Sequence, residues 1–242
     1  MPVMVNRLEC TNLTVKWAQV AAVSNVTLSL TAGMIIGLEG ANGSGKTSLL
    51  RALAGELRPS SGLVRFNGHS IAGQGLARVA RMGVLLMPQR EIFVSDLSVQ
   101  STLETAIIAP AVRSVIDVVK MIIWPPMITK ERQDRINDSL RIVNLVDCAH
   151  QLCQHLSFGQ RRRLMLAVCL VNAPKVLILD EPFAGMDRAT IDSLLGVLMS
   201  LSRSGKAIMI SDHDVGRIRS ISDIILSMSN GYCSDVTPRP YV

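Results

Sequence analysis

The stretch that decides the fold is Met34-Ile35-Ile36-Gly37-Leu38-Glu39-Gly40-Ala41-Asn42-Gly43-Ser44-Gly45-Lys46-Thr47. Residues 34–38 form a short apolar run that predicts a buried strand. Residues 40–47 fit the phosphate-loop pattern G-x-x-x-x-G-K-[ST] at every position. The glycines let successive backbone N–H groups turn inward around a phosphate. A helix is predicted from about Thr47 to Ala54, closed by Gly55, and its positive N-terminal end points at the same place. In such a loop Lys46 reaches the β- and γ-phosphates of a nucleotide and Thr47 holds Mg²⁺. A flexible glycine turn is the bland alternative, and the strand before and helix after argue against it.

The second motif is Lys175-Val176-Leu177-Ile178-Leu179-Asp180-Glu181-Pro182. A buried strand that ends in two acids places them at the carboxyl edge of the sheet, where ligands bind in α/β folds. Asp180 would bind Mg²⁺ through water, and Glu181 would orient and deprotonate an attacking water. The third motif is Leu156-Ser157-Phe158-Gly159-Gln160-Arg161-Arg162-Arg163. Taken alone it is a turn that caps a helix, with Ser157 as N-cap. A serine hydroxyl beside exposed helix-start N–H groups also suits a second phosphate-binding surface.

The rest of the chain supplies the frame. Leu8–Val15 and Val26–Leu30 alternate at strand period, and Leu63–Phe66 runs into an Asn67-Gly68 turn. From about Ser98 to Gln154 the pattern is helical: Glu131-Arg132-Gln133-Asp134-Arg135-Ile136 comes first, after which Leu140, Ile142, Val143 and Leu145 carry an apolar face. Alternation then returns, with strands at Val176–Leu179, Ala207–Ile210 and Ile224–Leu226 and a helix from about Ala189 to Leu201. Alternating strands and helices predict a mostly parallel sheet covered on both faces. The expected organisation is one two-lobed domain over 1–242. Its α/β core with an antiparallel β attachment takes about 1–95 and 165–242, and an inserted helical lobe takes about 96–164.

Composition removes competing classes. With 48% hydrophobic and 18% charged residues the chain can build a core and is not disordered. The net charge of +6 has no basic run longer than Arg161–Arg163, and two Trp, two Tyr and four Phe make no stacking platform, so no nucleic-acid partner is expected. The five cysteines form no Cys-x-x-Cys pair, are odd in number, and point to a reducing compartment. Residues 1–10 read as no signal peptide. The longest apolar stretch, Val115–Ile128, is broken by Asp117, Lys120 and Pro125-Pro126, short of a spanning helix. Work at a membrane would therefore need a docking partner.

The order of these motifs resembles the ATP-binding subunits of ABC transporters across essentially the whole chain. Leu156–Gln160 looks like that family's signature, with Phe158 where glycine is usual; Gln89 matches its Q-loop; Asp187, in Ala184-Gly185-Met186-Asp187, its D-loop; His213, in Ser211-Asp212-His213-Asp214, its switch histidine; and Trp17 the aromatic residue that stacks on adenine. The resemblance implies a P-loop NTPase (RecA-like) core that binds ATP and Mg²⁺. It implies nucleotide contacts from Trp17, Gly40, Asn42, Gly43, Ser44, Gly45, Lys46, Thr47, Ser48, Ser157, Gly159, Gln160 and Asp187. Thr47, Gln89 and Asp180 would serve the metal, and Glu181, His213 and Gln89 the catalysis. It further implies a second ATP-binding subunit facing this one head to tail, so that Ser157 acts on the nucleotide held by the partner. Transmembrane permease subunits, a solute-binding protein and a place on the cytoplasmic face of the inner membrane follow from the same likeness.

Lys16–Val23, Leu156–Leu164 and the long interval from Gln89 to Leu156 are similar to branched-chain amino acid importers, and Arg90–Phe93 resembles their sister subunit. Uptake of branched-chain amino acids or related solutes such as amides and urea is the first expectation. Asp180–Gly185 and Ile210–His213 resemble the lipopolysaccharide-export ATPase, so lipid export is the alternative. Soluble ABC ATPases are the other one, although no coiled coil, zinc hook or tandem unit is visible. Ala41 stands where the phosphate loop usually has proline, and the tail after Gly231 is short, so no C-terminal regulation is expected.

Overall fold

The apolar run before the phosphate loop is a strand, β3 (Ile35–Glu39), with Ile35–Leu38 fully buried. The computed structural model describes residues 6–89, 95–108 and 128–236. Arg90–Phe93, residues 115–127 of the apolar stretch and the tail from Thr237 lie outside them. Contacts divide the chain into two units: Met1–Gln89 with Pro174–Phe183 and Arg188–Val242, and Arg90–Ala173 with Ala184–Asp187.

The first unit holds two sheets. β1 (Arg7–Trp17), β2 (Val20–Thr31), β4 (Ser61–Phe66) and β5 (His69–Ser70) make an antiparallel sheet in the order β2-β1-β4-β5. β6 (Val84–Met87), β7 (Val176–Asp180), β8 (Ala207–Ser211), β9 (Ile224–Ser229) and β10 (Tyr232–Val236) join β3 in the order β10-β9-β3-β8-β7-β6. Every pairing in that sheet is parallel except β9 with β10. Both β7 and β8 are buried at every residue, as a parallel sheet covered on two faces requires. α1 (Lys46–Leu53) turns Leu49, Leu50, Ala52 and Leu53 into a core shared with Leu8, Val23 and Phe66 of one sheet and Leu38, Ile178 and Met209 of the other. α2 (Leu76–Met82) joins β5 to β6 between Gly75 and Gly83. Seven residues with Val79 alone buried leave no apolar periodicity, which is why sequence patterning passes over it.

The second unit is built from α3 (Val99–Ile108), α4 (Lys130–Ile142) and α5 (Phe158–Leu170). Thr129 caps α4, its hydroxyl accepting from the Arg132 N–H. Leu103, Ile136, Leu140, Val143, Leu145 and Leu164 are its core. α5 runs unbroken past residue 164, where the sequence pattern places the end of the helical lobe, because Leu164, Met165, Leu166, Ala167 and Cys169 are all buried. α6 (Arg188–Arg203) and α7 (Val215–Ile221) return to the first unit. Burial pushes the Cys169 thiol up to about 12, so it packs as a small hydrophobe. No described helix is long and apolar enough to cross a membrane.

Candidate functional site

The phosphate loop uses three glycines for their backbone conformation, and two of them also for want of space. Gly40, Gly43 and Gly45 have φ of 149°, 79° and 108°, which residues with a side chain rarely adopt. A Cβ on Gly45 would run into the carbonyl oxygen of Ala22, and one on Gly40 would lie 2.8 Å from Ser44 Oγ. Beyond Gly45 the helix starts with no side-chain cap. Lys46 is 6% exposed, and its Nζ donates to the carbonyls of Gly40 (2.7 Å) and Ala41 (3.1 Å). Ser44 Oγ is buried without a hydrogen-bond partner. A buried polar atom left open in a loop of inward N–H groups is what an anion site presents before its ligand arrives.

β7 delivers the acids. Asp180, 2% exposed, accepts from the Thr47 hydroxyl through Oδ2 (2.8 Å) and from the Ser211 hydroxyl through Oδ1 (2.7 Å). Glu181 follows in the left-handed region at φ 48°, where its backbone N–H donates to Ser211 O and Oγ, both at 3.1 Å. That turn separates the two carboxylates: Asp180 stays with Thr47, and Glu181 Oε2 accepts from Gln89 Nε2 at 2.9 Å. Asp180 and Ser211 are register partners on adjacent parallel strands. Ser211 is thus the site residue that motif reading misses. A serine at the end of one apolar strand, opposite an acid at the end of another, is the signal that could have found it.

Gln89, Glu181, His213, Asn42, Gly43 and residues 45–48 line a cavity of about 610 Å³ together with Ala22. Trp17, at the end of β1, is 51% exposed and donates from Nε1 to Ser48 Oγ at 3.3 Å. Half-exposed at a hairpin end, it is not committed to the core. His213 is exposed as well, its side chain at 66%, with Nδ1 3.5 Å from the buried Asp212.

Ser157, Gly159, Gln160 and Asp187 belong to the second unit. Ser157 is the N-cap of α5: its hydroxyl accepts from the Gln160 N–H (3.2 Å), and Gln160 Oε1 accepts from the Ser157 N–H (2.8 Å). This is a capping box. Phe158 is 46% exposed, and its ring lies where a Cβ on Gly185 would have to go. The turn that carries the exposed Asp187 therefore rests on the start of α5.

Residues 23–184 match the family described as ABC transporter. The chain is 28% identical to the high-affinity branched-chain amino acid transport ATP-binding protein BraF of Pseudomonas aeruginosa, over 96% of this chain and 91% of that one. It is 32% identical to the methionine import ATP-binding protein MetN of Bacillus subtilis, over 89% of this chain and 60% of that one. A bacterial ABC transporter cassette solved as a dimer superposes with a TM-score of 0.83 at 21% identity, covering 97% of this chain and all of that one. That likeness gives the fold, a P-loop NTPase cassette. The chain belongs to the ABC transporter family and is an ATP-binding, ATP-hydrolysing subunit of it.

Proposed function

We propose that this subunit hydrolyses ATP at the cavity lined by Lys46, Thr47, Gln89 and Glu181, beside Asp180, and that two such subunits close head to tail to drive a membrane permease. The observation that carries this is the Thr47–Asp180 hydrogen bond, 2.8 Å long, which joins the start of α1 to the end of β7. A threonine hydroxyl and a carboxylate are the hard oxygen donors that Mg²⁺ takes, and the unpartnered Ser44 hydroxyl and the uncapped start of α1 suit its phosphate ligands. Thr47 and Asp180 would hold the ion, with Gln89 beside them. Mg²⁺ supplies charge neutralisation on the phosphate oxygens.

The chain's own groups divide the remaining work. The loop N–H groups and Lys46 bind the phosphates, Lys46 exchanging its carbonyl partners for phosphate oxygens. Trp17 stacks on adenine. Glu181 takes the proton from the attacking water as the bond to the terminal phosphorus forms and the bridging oxygen leaves with ADP. Gln89 holds the Glu181 carboxylate until then. His213 contacts the terminal phosphate. Ser157, Gly159, Gln160 and Asp187 act on the nucleotide held by the partner subunit. The permease would seat the subunit on the cytoplasmic face of the membrane. Similarity to BraF supports uptake of branched-chain amino acids or related solutes fed by a solute-binding protein, and similarity to MetN keeps the cargo wider than that one class.

Glu181→Gln tests the chemistry. An amide cannot accept the proton, so kcat should fall by about 10²–10⁴-fold while ATP binding holds. Turnover close to that of the unaltered protein would remove Glu181 as the base.

A further inference from the structure

Three consecutive residues end β8 and enter the loop after it, and their side chains go to three places. Ser211 serves Asp180 and Glu181, as above, and His213 lines the cavity. Asp212 lies between them in sequence and points elsewhere. It is 1% exposed, so its carboxylate needs compensation from the protein. The Asp214 N–H donates to Oδ1 at 2.9 Å and Arg217 Nη1 donates to Oδ2 at 3.1 Å. Arg217 Nη2 also reaches Asp214 at 3.2 Å, and its guanidinium lies over the Phe183 ring, 5.8 Å from the centroid. Phe183 is buried and sits two residues beyond Glu181. The guanidinium is therefore fixed by two carboxylates and a ring, and it fixes Asp212 in turn.

Asp212 Oδ1 is 3.5 Å from His213 Nδ1 and is the charged partner of that imidazole among the described residues. An exposed ring with no anchor spreads over several rotamers. With Nδ1 beside Asp212, Nε2 is the ring nitrogen left for a ligand. We infer that Asp212, clamped by Arg217 against Phe183, is a positioning residue for hydrolysis: it sets the orientation in which His213 meets the terminal phosphate of ATP. The clamp starts from the segment that carries Glu181, so the proposed base and the histidine share one support. The inference rests on the reading of His213 given above.

The test is a double-mutant cycle on the purified full chain, with kcat and KM for MgATP measured for His213→Ala, Asp212→Asn and the pair. Asp212→Asn should lower kcat roughly tenfold, at the low end of what orienting partners of an imidazole contribute, with KM little changed. In the His213→Ala background the same change should have no further effect, because there is no ring left to orient. A loss that persists undiminished there, or an unchanged kcat for Asp212→Asn beside a lowered one for His213→Ala, overturns the inference alone. An unchanged kcat for His213→Ala overturns the underlying reading of His213. If Asp212→Asn does not fold, Arg217→Lys enters the same cycle, since it keeps the charge and loses the fork and the stacking. A few-fold loss of kcat that vanishes without His213 supports the clamp, and one that survives refutes it.

Discussion

Two helices in this chain have glycine and serine at or beside their first turns, and they start in opposite ways. α1 follows Gly45 at φ 108° with no side-chain cap. α5 follows Ser157 at φ −63° and ψ 162°, and Ser157 and Gln160 close a capping box around its first turn. A helix start always leaves backbone donors to be satisfied. At α5 the Ser157 and Gln160 side chains take two of them, so the turn has partners without a ligand. At α1 no side chain takes them, the nearby Ser44 hydroxyl is unpartnered, and Lys46 is turned back onto the loop's own carbonyls. The lesson is that similar composition serves two ends: one turn is finished by the fold, and the other is left open for an anion. Ser157 still has its O–H to donate, because the cap uses the oxygen only as acceptor.

The sharpest way to break this contrast is to make the two turns depend on different chains. In Lys46→Ala the open turn loses its cation. In Ser157→Arg the finished turn carries a side chain far larger than serine toward the partner's nucleotide, which should hold the two chains apart and spoil the closed geometry that hydrolysis needs. Each homodimer should be inactive. In a mixed dimer, one site has both defects. The other joins the intact Lys46 of the Ser157→Arg chain to the intact Ser157 of the Lys46→Ala chain. Mixing two inactive proteins should therefore restore ATPase activity. No recovery, with mixed dimers shown to form, would mean that Ser157 does not act across the pair.

Gly45→Ala attacks the open turn directly. The added carbon would collide with the Ala22 carbonyl and lie 2.8 Å from Met228 Cε, at a φ that costs an alanine further. Reshaping the loop should weaken ATP binding by on the order of 100-fold, the strain of two such features together. Gly159→Ala is the matched control on the finished turn. The nearest atom to its new carbon is Gly185 O at 3.6 Å, an ordinary contact, and φ is not positive. Its ATP affinity should match the unaltered chain, measured by titration on the isolated subunit. Equal losses at both glycines would erase the distinction.

These contrasts were unevenly legible in the sequence. The phosphate loop was legible because all its requirements are local: a strand, eight residues, a helix. The strand ending in Asp180 and Glu181 was legible for the same reason, and so was Ser157 as a cap. The reciprocal half of that box, Gln160 three residues on, was there to be read and was missed. What the sequence hides is everything set by strand order. Ser211 can hold Asp180 only because β7 and β8 are neighbours. Gly231 donates its N–H to Ser44 O at 3.0 Å only because the β9–β10 turn lies against the loop. Arg217 reaches Asp212 from the first turn of α7, a helix too short to announce itself.

Trp17 belongs to the open side of the comparison in the same sense as Ser44: its described side-chain hydrogen bond is one long contact, to Ser48. Trp17→Ala should lower nucleotide affinity by roughly 1–3 kcal/mol, the range for base stacking on an aromatic ring. The melting temperature without nucleotide should barely move, since the indole is half-exposed. A large drop in that temperature with unchanged affinity would return Trp17 to the core.

The smallest effect is expected where the turn is finished, and it separates the two uses of Ser157. Ser157→Ala removes the acceptor for the Gln160 N–H and should cost about 1 kcal/mol of local stability, or less because that bond is 3.2 Å long on an exposed turn. Hydrogen exchange at the Gln160 amide reads this directly, since a lost cap speeds exchange there before it affects the rest of α5. Ser157→Asn caps about as well as serine, so it should restore the protection. It also replaces the O–H donor with an amide whose nitrogen sits further out, so it should not restore hydrolysis if Ser157 touches the partner's nucleotide. Ala and Asn should then differ in exchange and agree in ATPase activity. Should activity instead rise and fall with protection across the two variants, the hydroxyl would serve the helix alone, and the finished turn would act on nucleotide only through its backbone.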